Sequence, residues 1–259
     1  MADQRTIVDH SGVPVRRSRW RTFLVLAHTL SGSLRIASRS ALGQLGNDDV
    51  ERVLRRWTEH IFDISKLTLV ATGVEHMARA KPCVIVGHHV SLLDTPCVIA
   101  SFPGPVRFVS KMELRRVPMF GKAMEDAGIV FVDRKNLTRA IAQLETAKQL
   151  IGTGTSLWVA AEGTRSRDGR LRTLKKGAFH IAIELGVPLV PMWIQGTLDV
   201  IPPDQWTSAT GQRVTVAYGE PVETKGCTRA DVPRLISEVR ARMVALARQC
   251  GAPADVDAA

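Results

Sequence analysis

The segment Gly87-His88-His89-Val90-Ser91-Leu92-Leu93-Asp94-Thr95-Pro96 holds the residue pair best suited to chemistry, His89 and Asp94. An imidazole whose tautomer is fixed by a carboxylate is a general base, able to take the proton from a hydroxyl group. The spacing constrains how the two can meet. On one continuous helix a five-position offset would leave them about 140° apart, on different faces. They meet if His89 stands in a turn and Asp94 in the first turn of a helix, its carboxylate reaching back. The run Cys83-Val84-Ile85-Val86 just before them is short, apolar and β-branched, and reads as a buried strand. The pair therefore falls at a strand end, where α/β sheets bind ligands. A lone His-x4-Asp more often has a structural or capping role, so the rest of the chain decides.

Three further clusters follow apolar runs. After Val106–Ser110 comes Lys111-Met112-Glu113-Leu114-Arg115-Arg116-Val117-Pro118, continuing to Gly121, with Gly128 and Asp133-Arg134 beyond. After Leu157–Ala160 comes Glu162-Gly163-Thr164-Arg165-Ser166, with Lys175-Lys176-Gly177 shortly after. The fourth is Val187-Pro188-Leu189-Val190-Pro191, where prolines bracket an apolar run. Each has a plain structural reading: Glu162-Gly163-Thr164 as a turn, Lys111 and Arg165 as surface charges, the prolines as strand ends.

The elements that must position these groups alternate. Leu67–Thr72, Cys83–Val86, Val106–Ser110, Ile129–Val132, Leu157–Ala160, Leu189–Ile194 and Arg213–Tyr218 read as strands. Helical periodicity lies between and after them at Leu137–Ile151, with Asn136 as a candidate cap, at Thr173–Leu185, and at about Asp231–Arg248. This predicts an α/β fold, a mainly parallel sheet flanked by helices. Two helices precede it. Trp20–Leu42 is apolar-leaning but broken by His28, Ser31, Gly32, Ser33, Arg35 and Arg39, short of the roughly 20 apolar residues a membrane span needs. It reads as an interfacial amphipathic helix, with Trp20 and the arginines at headgroup level. A second helix, capped by Asn47 or Asp48 and running to about Leu67, shows one stripe of Val50, Val53, Leu54, Trp57, Ile61 and Ile64. The expected organisation is a basic tail and membrane-associating helical hairpin over 1–65, a catalytic α/β domain over 66–250, and a disordered tail over 251–259.

Composition narrows the partners. A formal net charge of +10 calls for an anionic partner. Aromatic content of 5% with one tyrosine, Tyr218, argues against a stacking platform for nucleic acid. An anionic membrane surface and phosphate ligands remain. Cys83, Cys97, Cys227 and Cys250 are scattered, without zinc spacing or a disulfide framework. Residues 1–18 end in a basic cluster and lack a secretory signal's apolar run.

Together the four clusters resemble the sequence blocks of the glycerolipid acyltransferases, in particular the bacterial 1-acyl-glycerol-3-phosphate acyltransferases. They occur in order: His89-x4-Asp94; Lys111-x-Glu113-Leu114 with Pro118 and Gly121; Glu162-Gly163-Thr164-Arg165-Ser166; and Val187-Pro188-Leu189-Val190-Pro191. The resemblance covers roughly residues 65–220. It implies transfer of an acyl chain from acyl-CoA or acyl carrier protein to the 2-hydroxyl of lysophosphatidate, at the cytoplasmic face of the inner membrane. His89 would be the base and Asp94 its orienting carboxylate. Lys111 and Arg165 would bind the acceptor's phosphate, and Glu162, Gly163, Thr164, Ser166 and Pro191 would hold the acceptor or shape the site. A backbone N–H in the Gly163 loop or the Lys111 ammonium would face the oxyanion. No cofactor or metal is implied; the thioester is a co-substrate. Two positions depart from the family: His88 stands where an asparagine is usual, and Ala160-Ala161 where Phe-Pro is frequent. The doubled histidine leaves two candidates for the base, and spacing from Asp94 favours His89. The alternatives are another acceptor, such as lyso-ornithine lipid, and, in a different class, a non-catalytic basic lipid-binding protein.

Overall fold

All seven apolar runs read as strands form strands in the computed structural model, which describes residues 17–132 and 137–257. They are β1 (Thr68–Thr72), β2 (Val84–Gly87), β3 (Val106–Lys111), β4 (Val130–Val132), β5 (Ser156–Ala160), β6 (Leu189–Gln195) and β7 (Arg213–Tyr218). One sheet holds them in the order β1-β7-β6-β2-β5-β3-β4. From β6 to β4 every neighbouring pair is parallel. β7 runs antiparallel to β6, and β1 pairs parallel with β7. The five parallel strands consequently send their following loops to one edge, and β2 is the central strand of the seven.

The side chains of β2 alternate between two cores, as strand geometry requires. Val84 and Val86 belong to one cluster with Phe179, Ala182, Leu235, Val239 and Met243, from the helices Gly177–Leu185 and Val232–Gln249. Ile85 faces the other, with Cys97, Val98, Phe102, Trp158 and Met192. Burial on both faces explains why the strands read as continuous apolar runs rather than alternating ones.

The two N-terminal helices are α1 (Arg19–Ala41) and α2 (Asn47–Ser65). They pack on the body through two clusters: Val25 and Ile61 against Leu93, Val200 and Ile201, and Ile36 and Val50 against Ala123 and Ala127. The opposite side of α1 leaves Trp20, Phe23, Leu26, Leu30 and Leu34 exposed. No helix among the described residues is long and apolar enough to cross a membrane. Gly46 is the N-cap of α2, one residue before the expected Asn47 or Asp48, and Asp49 Oδ2 accepts from its N–H at 3.2 Å.

Two further expectations are corrected. The helix expected over 173–185 begins only at Gly177; Leu174 is buried and the Lys175 N–H donates to the Ala161 carbonyl at 2.7 Å, which holds 173–176 against the site loop. The tail expected to be disordered is docked as far as residue 257. Val256 is 1% exposed and its carbonyl accepts from Leu171 N–H, while Asp255 pairs with Arg170 and Asp257 with Arg240. One buried apolar side chain and two ion pairs outweigh the polar look of the segment. Asp133, Arg134 and Asn136 lie outside the described residues.

Candidate active site

β2 ends at Gly87, and the next two residues continue its alternation onto opposite faces. A Cβ at Gly87 would collide with the Trp158 indole and lie 2.8 Å from Met192 Cε, so only glycine lets the two cross-strand side chains close over this point. His88 turns to one face, stacked on Trp193 with ring centroids 4.1 Å apart and planes 5° off parallel. His89 turns to the other, its ring centroid 5.5 Å from that of Trp158 and the two planes nearly perpendicular.

Each histidine has its own carboxylate. Asp94 opens the helix Asp94–Ser101, and its Oδ2 lies 2.7 Å from His89 Nδ1. That oxygen also accepts from Val90 N–H at 2.7 Å and Ser91 N–H at 2.9 Å, and Oδ1 accepts from the Thr197 hydroxyl at 2.6 Å. The turn-then-helix arrangement expected from the spacing is the one present. Because both oxygens already accept, the carboxylate has no proton to offer, so Nδ1 of His89 is the N–H donor. In the neutral ring Nε2 then carries the lone pair. Nε2 is unbonded among the described residues, and the His89 side chain is 21% exposed. That is the state of a base open to a substrate hydroxyl.

The second pair is closed. His88 Nδ1 donates to Glu162 Oε1 at 2.6 Å, with the two side chains 1% and 0% exposed. Glu162 Oε1 also accepts from His89 N–H at 3.3 Å and Oε2 from Arg172 N–H at 3.1 Å. Glu162 thus ties the β2 loop to the loop after β5. His88 Nε2 is buried without a partner among the described residues. Strand alternation separates the two histidines more decisively than their distance from Asp94 in sequence.

The remaining expected site residues divide. Ser166 is buried, donates its N–H to the His89 carbonyl at 2.8 Å and its hydroxyl to Asp168 at 2.8 Å, and so holds the backbone of His89. Gly163 takes φ +79°, the left-handed turn that glycine permits. Its N–H donates to the Ala160 carbonyl at 2.9 Å, so an oxyanion donor from this loop would have to be another of its amides. Thr164 is exposed and Arg165 half-buried in the same loop; Lys111 ends β3 and is exposed. Neither Arg165 nor Lys111 has a salt bridge among the described residues, and both stand at the edge where His89 stands.

Pro191 does not join them. Val187 and Pro188 precede β6, so in a parallel strand they sit at the opposite edge, and Pro191 is buried inside β6 beside Val86. The polar residues that β6 delivers to the site edge are Gln195, Gly196 and Thr197. Thr197, which sequence reasoning missed, had the same signal as the other clusters, a hydroxyl just past an apolar run. Trp158 and Trp193, also missed, carried no signal beyond being large residues in strands.

Comparison with known proteins follows this geometry. Residues 69–195 match a family model described as Acyltransferase. Human 1-acyl-sn-glycerol-3-phosphate acyltransferase alpha is 33% identical over 199 residues, spanning 76% of this chain and 70% of that protein. The Saccharomyces cerevisiae 1-acyl-sn-glycerol-3-phosphate acyltransferase is 30% identical, over 71% of this chain and 61% of that protein. The crystal structure of the 1-acyl-sn-glycerophosphate (LPA) acyltransferase PlsC from Thermotoga maritima superposes with a TM-score of 0.65 at 26% identity, covering 85% of this chain and 90% of that one.

Proposed function

The chain belongs to the glycerolipid acyltransferase family, and we propose that it moves a fatty acyl chain from an acyl thioester, acyl-CoA or acyl carrier protein, to the 2-hydroxyl of 1-acyl-glycerol-3-phosphate, giving phosphatidate. The observation that carries this reading is the open His89–Asp94 pair, 2.7 Å from Nδ1 to Oδ2. An alcohol is a poor nucleophile at neutral pH. His89 Nε2 takes the hydroxyl proton as the oxygen attacks the thioester carbon, and Asp94 stabilises the imidazolium without becoming protonated. The carbonyl π bond opens to an oxyanion, then re-forms as the C–S bond breaks and the proton passes from the imidazolium to the thiolate. Atoms balance with no covalent enzyme intermediate.

Lys111 and Arg165 are the cations for the acceptor's phosphate. Arg165 can fork two hydrogen bonds onto it, and Lys111 adds a point charge. The ammonium of Lys111 also remains available to the oxyanion. Both acceptor and product are bilayer lipids, which supports a peripheral seat on the membrane. The exposed apolar row of α1, together with exposed Leu92 between the two catalytic residues and Val117 and Met119 after β3, supplies apolar surface for it. We assign the protein to the cytoplasmic face of the inner membrane, where acyl thioesters are made.

The test is a panel of acceptors with labelled acyl-CoA and the purified chain. Lysophosphatidate should be acylated, and acceptors without a phosphomonoester, lyso-ornithine lipid among them, should react at least about tenfold more slowly, the loss of a charge-assisted bidentate contact. Equal rates across the panel would remove the lysophosphatidate assignment.

A further inference from the structure

Between α1 and α2 lies a solvent-open cavity of about 310 Å³ lined by Arg35, Arg39, Asp49, Arg52, Val53 and Arg56. Arg35 and Arg39 are one turn apart on α1, Arg52 and Arg56 one turn apart on α2, so each pair shares a face. One carboxylate serves four guanidiniums. Asp49 Oδ1 accepts from Arg52 Nη1 at 2.9 Å and lies 3.2 Å from Arg39 Nη2, while Oδ2 is taken by the Gly46 N–H. Arg39 also donates to the Gln44 carbonyl and leaves its Nε buried without an acceptor among the described residues. Arg35 and Arg56 have no salt bridge among the described residues. Farther along the same seam His28 stacks on His60 with centroids 4.7 Å apart. Burial, then His60, then Arg35 hold His28 below the ordinary imidazole range. Like charges turned onto one cavity repel unless an anion occupies it.

We propose that this cavity binds the phosphomonoester headgroup of an anionic lipid, at a second site separate from the catalytic one. The proposal rests on the acyltransferase reading only in that acceptor and product there are lipids of this class. A phosphomonoester carries about −1.5 to −2 charge near neutral pH, which matches the two guanidiniums that Asp49 leaves unpaired; a phosphodiester carries less. Arginine forks fit phosphate oxygens in a plane. α1 also bears the exposed row Trp20, Phe23, Leu26, Leu30 and Leu34 on its outer side, so one helix offers an apolar surface for acyl chains and a cationic cavity for their headgroup. Free phosphate shares the oxygen chemistry but has no chains to meet that row, which favours the lipid.

The test is sedimentation of the full chain with phosphatidylcholine vesicles containing phosphatidate, or phosphatidylglycerol at equal surface charge. The unsubstituted chain should prefer phosphatidate about tenfold, the order that paired charge-assisted contacts supply. Arg35→Gln combined with Arg56→Gln should bring the ratio near one. Arg55→Gln, an exposed arginine of α2 outside the cavity, should keep it. Matching melting curves and turnover in detergent micelles would show that the double variant is folded. A preference undiminished in that variant, or absent from the unsubstituted chain, would overturn the site. Abolition of the preference by an equal concentration of inorganic phosphate would assign the cavity to the free anion and overturn the lipid. If instead the vesicle ratios behave as expected and no acyl transfer occurs in micelles, the catalytic reading fails and the headgroup site stands.

Discussion

β2 ends in two histidine–carboxylate pairs that are nearly equal in length, 2.7 Å for His89–Asp94 and 2.6 Å for His88–Glu162. Their surroundings are unequal. His89 reaches the surface on one face of the sheet and leaves Nε2 open, whereas His88 is sealed on the other between Trp193 and Glu162. A hydrogen bond to a carboxylate therefore does not tell the two histidines apart. Access of the far ring nitrogen does, and the strand's alternation grants it to one of them only. The closed pair serves the open one, because the oxygen that accepts from His88 also accepts from the His89 amide.

This contrast can be broken most forcefully at the base. His89→Ala should lower turnover by about 10²–10⁴-fold with the melting temperature nearly unchanged, measured by acyl transfer beside calorimetry. If that variant keeps its turnover, the open pair is not the base.

At the closed pair the expected loss is in stability. Glu162→Ala takes the acceptor from three donors, the buried His88 Nδ1 and the part-buried amides of His89 and Arg172. At about 1 kcal/mol or more each, the melting temperature should drop by about 6–12 °C. A variant that melts like the parent but shows a raised KM for the acceptor would make Glu162 a ligand contact instead.

The smallest effect should come from His88→Asn, which restores the amide usual in the family. An asparagine can still donate to Glu162 but loses the stack on Trp193, worth about 1 kcal/mol. Turnover should stay close to the parent's, and a loss like that of His89→Ala would erase the distinction between the two histidines.

What could be read from sequence was what is local. The seven strands were legible because each is buried on both faces and leaves an apolar run, and the His89–Asp94 contact because five residues and a turn determine it. The site's other supports were hidden by distance along the chain. Glu162 meets His88 across 74 residues and Thr197 meets Asp94 across 103; both contacts depend on which strands become neighbours, which no spacing reports. Pro191 misled for a related reason: its block is adjacent to a strand, but at the end that a parallel sheet turns away from the site. The antiparallel entry of β7, paired with β1, likewise left no trace in the alternation of strands and helices.

The docked segment at 251–257 has a consequence for the order in which the molecule is made. Its Val256 carbonyl fastens Leu171, next to the Arg172 whose amide Glu162 holds. Chains emerge from the ribosome amino end first, so both histidines are exposed to the cell well before the residues that brace their loop have been translated. The edge that carries both histidines is therefore finished late in biosynthesis, by a stretch of chain distant from it in sequence.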